Sequence, residues 1–139
     1  MPAKNLYHDS VVAGLVADGW TITDDPLTLM IGFQALYIDL GAQSPTIVAE
    51  QAGRKIAIEI QSFIGDSAIN DLHRAVGQCL IYQIALAEVR PDLPRFMAIP
   101  NNVFNGVFDE PLGRLIRDKL IHRILVFERT TGRIMQWIE

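Results

Sequence analysis

One predicted strand carries the side chains best suited to chemistry. In the segment Arg54–Phe63, RKIAIEIQSF, three isoleucines alternate with other residues, which is the period of a β-strand. The isoleucines point to one face, whereas Glu59 and Gln61 share the other. A carboxylate buried without a partner costs roughly several kcal/mol, so such a group is usually paired, metal-bound or solvated. The strand therefore predicts a polar site built on Glu59 and Gln61.

Two further acids precede this strand. Asp39 lies in the predicted strand Ala35–Ala42, and Glu50 ends the next extended run. Two carboxylates that meet at the end of a sheet supply hard oxygen ligands, which Mg²⁺ binds while it keeps several waters. Acids on strands are also common at exposed edges, so a surface role for Asp39 and Glu59 stays open. In a regular hairpin Glu50 would face Lys55, which predicts a surface pair instead of a metal ligand.

The rest of the chain predicts an α/β order. Helices are predicted over Asn5–Asp18, Ser67–Glu88 and Asp109–Leu120. Strands are predicted over Trp20–Thr23, Leu27–Ile31, Ala35–Ala42, Thr46–Glu50, Arg54–Phe63, Arg95–Ile99, Arg123–Phe127 and Arg133–Ile138. The strand–helix–strand run at 95–127 predicts a right-handed parallel crossover. Together these elements predict a mixed β-sheet with helices on both faces.

Two helices hold candidate supporting residues. Asn5 is predicted to cap the first helix, and His8 lies on its buried stripe, either as a core histidine or as part of a site. Gln78 and Tyr82 of the long helix are spaced i, i+4 and so share a face, where they either orient a site or form polar surface. The buried stripe of the long helix is predicted to comprise Ile69, Leu72, Val76, Cys79 and Leu80. Ser67 is predicted to cap this helix.

Composition narrows the class of protein. The 139 residues are 50% hydrophobic, which predicts one folded domain over 1–139. No run of about 18 apolar residues and no apolar leader occur, so we expect a cytoplasmic protein without a membrane segment. The single cysteine, Cys79, excludes an internal disulfide framework and predicts core packing.

Charge is unevenly distributed. The net charge is −4, which opposes strong nonspecific nucleic-acid binding, yet residues 111–133 carry six bases against two acids. Arg114, Arg117 and Arg123 therefore predict a basic face for DNA, with an ordinary solvated surface as the alternative.

Several sequence blocks resemble a known family. The order Asp39 … Glu59-Ile60-Gln61 resembles the PD-(D/E)xK nuclease superfamily, and Gln78–Tyr82 resembles the Gln-x-x-x-Tyr motif of its RecB-like branch. The blocks LYHDSVVAGLVADGWTITDDPLTL, LYIDLGA, IAIEIQSF, INDL, GQCLIYQ and QWI are similar to XisH, the cyanobacterial family of fdxN element excision controlling factors. This similarity runs from Pro2 to Ile138.

The resemblance implies a restriction-endonuclease-like fold and a function in programmed DNA rearrangement. It implies that Asp39 and Glu59 bind Mg²⁺, with Mn²⁺ as a substitute, for phosphodiester hydrolysis. Gln61 stands where the motif has lysine, and a glutamine can orient a water but supplies no charge. The alternative is a catalytically inactive control factor that binds DNA or protein. Implied partners are DNA, an XisI-like protein and the site-specific recombinase machinery, and self-association into homo-oligomers stays open.

Overall fold

A computed structural model of the chain describes residues 6–31, 34–37 and 46–139. Asp39 and most of its predicted strand lie outside the described residues. The helices are α1 (His8–Ala17), α2 (Ala68–Val89), α3 (Asn101–Phe104) and α4 (Pro111–Lys119), with a 3₁₀ turn at Val107–Asp109. The strands are β1 (Thr21–Asp24), β2 (Thr28–Ile31), β3 (Gln34–Tyr37), β4 (Thr46–Gln51), β5 (Arg54–Ile60), β6 (Arg95–Pro100), β7 (Ile124–Phe127) and β8 (Ile134–Ile138).

The described strands form a mixed sheet with β5 near its centre. Six strands pair in the order β1-β4-β5-β6-β7-β8, and β2 pairs with β3 separately. The β6–β7 pair is parallel, as the crossover predicted at 95–127 requires; the β5–β6 pair is also parallel, and the other pairs are antiparallel. Helix α2 connects β5 to β6, because a parallel neighbour can be reached only by a crossover. The predicted α/β fold, a central mixed sheet flanked by helices, is confirmed.

The predicted hairpin of β4 and β5 is present. Glu50 is the pairing partner of Lys55, and Gln51 is the partner of Arg54. Gly53 has φ +80°, as its turn requires, and Ala52 beside it also has a positive φ of 52°. The predicted register, in which Glu50 faces Lys55, is therefore confirmed, and Glu50 lies at the hairpin turn, away from Glu59.

The alternation in β5 divides its side chains between two packed layers. Ile56, Ile58 and Ile60 are fully buried in the layer that contains Val11 and Leu15 of α1. The opposite layer contains Ala57 together with Tyr82, Ala85 and Leu86 of α2. Helix α1 and helix α2 thus cover opposite faces, and Glu59 faces the α2 side.

Two predictions for α1 and α2 were wrong in detail. Helix α1 begins at His8 and not at the predicted Asn5, which lies outside the described residues, and its N-cap residue, Tyr7, makes no capping bond with its side chain. In α2 the predicted cap is correct, since Ser67 Oγ accepts from the Asn70 amide at 3.3 Å. The buried face of α2 differs from the predicted stripe, however, since Ile69 is 42% exposed. The buried residues of α2 are Asp71, Leu72, Ala75, Cys79, Tyr82, Ala85 and Leu86.

The C-terminal elements match their predictions within a few residues. Pro111 occupies the first turn of α4, a position where its missing N–H costs nothing. Strand β7 is wholly buried between its parallel partner β6 and its antiparallel partner β8. Within the described ranges, no helix is both long and apolar enough to cross a membrane.

Candidate functional site

Glu59 lies at the centre of a buried polar cluster on the α2 side of the sheet. Its side chain is fully buried, and its Oε1 accepts a hydrogen bond from Gln61 Nε2 at 2.5 Å. Its Oε2 lies 3.6 Å from Arg95 Nη1 and has no hydrogen-bond partner among the described residues. One carboxylate oxygen is therefore satisfied, and the other faces a cation without a direct hydrogen bond.

Arg95 is the member of this cluster that the sequence did not reveal. It begins β6, and its pairing partner is Ala57, so its side chain shares the face of Glu59. The Arg95 side chain is only 10% exposed. Its Nη2 also donates to Gln83 Oε1 at 3.4 Å. The one available signal was a charged residue at the start of an apolar strand that a parallel crossover would place beside β5.

Gln61 links the cluster to α2. Its Nε2 donates to Gln78 Oε1 at 3.1 Å as well as to Glu59, so both amide hydrogens are used. One turn further along the same helix, Tyr82 is fully buried in the layer with Ala57. The structure therefore brings Glu59, Gln61 and Gln78 into contact. Tyr82 lies at i+4 from Gln78, so the two residues share a face of α2.

Thr46 is a second residue that sequence reasoning passed over. It is the antiparallel pairing partner of Glu59, so its side chain lies beside the carboxylate on the same face. Thr46 is fully buried, and its Oγ1 has no hydrogen-bond partner among the described residues. Glu59 Oε2 and Thr46 Oγ1 are thus neighbouring buried oxygen atoms without a hydrogen-bond partner among the described residues, although Arg95 Nη1 faces the carboxylate oxygen at 3.6 Å.

The burial of Glu59 controls its protonation. Burial raises the pKa of the Glu59 carboxyl to about 7, while Arg95 and the Gln61 hydrogen bond act in the opposite direction. Burial also raises the pKa of the Cys79 thiol in the same layer. Cys79 is therefore an inert core thiol, as the sequence predicted.

A divalent cation is compatible with the oxygen atoms present. Glu59 Oε2 and Thr46 Oγ1 are hard oxygen donors that lack partners among the described residues. Asp39, the second predicted ligand, lies outside these residues, and they contain no cluster of three or more His, Cys, Asp or Glu side chains that could hold a metal. The carboxylate therefore supplies one ligand position, and the remainder of a site would have to come from Asp39 and water.

His8 belongs to a different cluster. Its Nε2 lies 2.7 and 2.9 Å from the Asp25 carboxylate oxygens, and its Nδ1 lies 2.9 Å from Asp9 Oδ1. A neutral imidazole has one N–H, so these two contacts require the protonated ring. His8 joins α1 to the turn after β1, and the structure shows no hydrogen bond from it to Glu59 or Gln61.

The three predicted DNA-binding arginines line two cavities near the C-terminal elements. Arg114 donates from Nη2 to Asp109 Oδ1 at 2.7 Å and from Nε to the Asp109 carbonyl at 2.9 Å. The Arg117 guanidinium lies 4.5 Å from the centre of the Phe104 ring. Arg123, in contrast, lines a cavity with Arg95. Arg114 and Arg117 thus line one cavity and Arg123 lines another, and DNA binding by these arginines stays a prediction.

The fold and this centre define an α/β protein whose six-stranded mixed sheet carries a buried acid–amide–guanidinium cluster. The family model of the XisH proteins matches residues 1–135, and the chain belongs to the XisH family. An XisH family protein from Nostoc punctiforme is 32% identical, with a TM-score of 0.84 over 97% of this chain and 100% of that chain. An fdxN element excision controlling factor protein from Anabaena variabilis is 36% identical, with a TM-score of 0.83 over 96% of this chain and 98% of that chain. No curated protein matches the chain.

Proposed function

We propose that the protein is a nuclease-like element-excision controlling factor that hydrolyses phosphodiester bonds with Mg²⁺ during programmed DNA rearrangement. The observation that carries the proposal is the buried carboxylate of Glu59, whose Oε2 lacks a hydrogen-bond partner among the described residues. The similar protein from Anabaena variabilis, an fdxN element excision controlling factor, supports the biological setting. The order of Asp39, Glu59 and Gln61 supports the chemistry through its resemblance to nucleases.

Each residue has a defined role in this proposal. Asp39 and Glu59 would hold Mg²⁺, or Mn²⁺ in its place, and such an ion polarises a phosphoryl oxygen as a Lewis acid. Gln61 would orient the attacking water through its amide, which Gln78 holds in position at 3.1 Å. Tyr82 would fix the helix behind the site by its burial. The cation that the motif places at position 61 is absent, and Arg95, whose Nη1 lies 3.6 Å from Glu59 Oε2, would take over its electrostatic role.

A second candidate is a control factor without catalysis that binds DNA, an XisI-like protein or the recombinase machinery. Arg95 favours this candidate, because its guanidinium lies 3.6 Å from Glu59 Oε2 and supplies a countercharge from the chain itself. A carboxylate that is neutralised by an arginine has less need of a metal ion. The full burial of Glu59 points the same way, since water must reach a hydrolytic centre.

Plasmid nicking tests the first candidate. Supercoiled DNA incubated with Mg²⁺ or Mn²⁺ should be nicked by the wild type and spared by Glu59→Ala. Glu50→Ala is the matched control, because it removes a glutamate from the same hairpin at a position paired with Lys55. Equal residual nicking by wild type and Glu59→Ala would exclude hydrolysis at this centre.

Metal titration tests the same centre without relying on activity. Calorimetry with Mn²⁺ should show binding to the wild type and to Glu50→Ala, with binding lost in Glu59→Ala. If the wild type binds no Mn²⁺ but shifts a DNA fragment in a gel or co-purifies with an XisI-like protein, the second candidate replaces the first.

A further inference from the structure

A cavity of about 200 Å³ lies beside the Glu59 cluster and is rich in positive charge. It is bounded by the second half of α2, the start of β6 and the connection from α4 to β7. The basic side chains that line it are Arg95, Lys119, His122 and Arg123. No acidic residue is among the described residues that line this cavity. We propose that it is a binding site for a single phosphate group.

Arg95 is the deepest donor in this cavity. Its side chain is nine-tenths buried, and its Nε and Nη1 have no hydrogen-bond partner among the described residues. Nη1 faces Glu59 Oε2 at 3.6 Å, and the part of the guanidinium that lines the cavity offers charged N–H donors to a bound oxyanion. Gln83, which also lines the cavity, accepts from Nη2 and orients the guanidinium.

Lys119 and Arg123 supply charge at the rim. Both are exposed, and neither forms a salt bridge within the part of the chain that the structure describes. His122 donates from Nε2 to the Asp118 carbonyl at 2.9 Å, which holds its ring at the same rim. The Lys119 and Arg123 cations and the His122 ring thus surround the opening above Arg95.

A second cavity, adjacent to the one at Arg95, is lined by acidic as well as basic side chains. Arg114 and Arg117 line that neighbour together with Asp109 and Asp118, so its positive charges are balanced by carboxylates. An anion is repelled by such carboxylates, and the cavity at Arg95 lacks them among the lining residues described.

Size and lining define the ligand class. At about 200 Å³ the cavity holds several times the volume of a water molecule, about 30 Å³, which suits a compact tetrahedral anion. No Phe, Tyr or Trp side chain is among the described residues that line it, so it lacks the large aromatic rings on which bases commonly stack. A free phosphate compound and the terminal phosphate of a nucleic acid share the required chemistry. The inference does not depend on hydrolysis at Glu59.

The test is calorimetric titration of the intact chain at low ionic strength with inorganic phosphate. Lys119→Gln/Arg123→Gln should weaken binding at least about tenfold, since two charged donors are lost from exposed positions that the fold does not need. Arg129→Gln/Arg133→Gln removes the same charge outside the cavity and should change the affinity by less than about twofold. Absence of phosphate binding to the wild type at millimolar concentration, or equal weakening by both double variants, would overturn the inference.

Two oligonucleotides identify the source of the phosphate. A short DNA strand with a 5′-phosphate is compared with the same strand carrying a 5′-hydroxyl. A preference for the phosphorylated strand that disappears in Lys119→Gln/Arg123→Gln supports the site and assigns a nucleic-acid end as its ligand. Equal binding of the two strands, with phosphate binding retained, supports the site and assigns a small phosphate compound. A preference unchanged in that variant contradicts the site.

Discussion

Arg95 and Glu59 face each other across the parallel pair β5 and β6, with Nη1 3.6 Å from Oε2 and both side chains almost wholly buried. The pair is held by the sheet itself, because Arg95 is the pairing partner of Ala57, two residues before Glu59. A buried carboxylate and a buried guanidinium stabilise each other only as long as both are present.

Replacing Arg95 should destabilise the protein in a pH-dependent manner. Arg95→Met leaves the Glu59 carboxylate buried without its cation, so we expect a loss of about 3–5 kcal/mol in unfolding free energy at pH 8. Burial raises the pKa of Glu59 to about 7 from an ordinary 4.5, so at pH 5 the folded protein holds this carboxyl protonated and the loss should be smaller. Urea denaturation at both pH values measures the difference.

Arg54→Met serves as the control for that experiment. Arg54 pairs with Glu139 at the surface, where an exposed ion pair contributes about 0–1 kcal/mol. Arg54→Met should therefore change the unfolding free energy only slightly, and by a similar amount at pH 5 and pH 8. An equal loss at both pH values for Arg95→Met would show that packing, and not the charge of Glu59, dominates.

His8 should stabilise the fold at acidic pH. Burial lowers the pKa of His8, but its hydrogen bonds to Asp9 and Asp25 together outweigh burial, so the pKa is raised above 6.5. The stabilisation is complete below the unfolded pKa and is lost as the pH rises through the folded pKa. Since both carboxylates are partly exposed, His8→Gln should cost roughly 1 kcal/mol at pH 5.5 and less at pH 8.5, measured by urea denaturation. A loss that grows with pH would contradict the contacts of His8.

Two helical glycines should respond oppositely to alanine. A Cβ on Gly14 of α1 would lie 2.2 Å from the Gly132 carbonyl oxygen, so Gly14→Ala must separate the helix from the turn before β8. A Cβ on Gly77 of α2 would meet nothing within 4 Å, so Gly77→Ala should stabilise by about 0.5–1 kcal/mol through helix propensity. In thermal denaturation, the Tm of Gly14→Ala should be several degrees lower than that of the wild type, and the Tm of Gly77→Ala should be higher. Equal shifts would refute the close packing at Gly14.

Restoring the missing cation should increase any hydrolysis. A lysine at position 61 can donate to Glu59 and to Gln78, as Gln61 does. In the proposed reaction it would also add a positive charge beside the scissile phosphate of the DNA. If hydrolysis occurs there, Gln61→Lys should accelerate plasmid nicking by roughly 10²–10³ with Mg²⁺. Glu59→Ala/Gln61→Lys is the control and should be inactive. A rate unaffected by Gln61→Lys would mean that position 61 has no role in charge stabilisation.

Local pattern was sufficient for the elements on both sides of Glu59. The alternation of Ile56, Ile58 and Ile60 predicted one buried face, and the hairpin turn at Gly53 set the pairing of Glu50 with Lys55. These features depend on neighbours within a few residues, which a sequence displays directly. The similarity of whole sequence blocks to the XisH family supported the prediction of the fold.

The buried face of α2 could not be read in the same way. Ile69 was predicted to be buried and is exposed, while Tyr82 and Ala85 are buried. The helix is apolar over much of its circumference, so the stripe that packs is decided by the sheet below it.

Only the tertiary structure showed what surrounds Glu59. Arg95 and Thr46 are distant from it in sequence and reach it through strand pairing, one by a parallel crossover and the other by the hairpin register. The residues that could do chemistry, Glu59 and Gln61, are visible in the sequence because their polarity breaks a local pattern. The countercharge of Glu59 and the burial of both residues are not visible in the sequence, because long-range strand pairing and packing determine them.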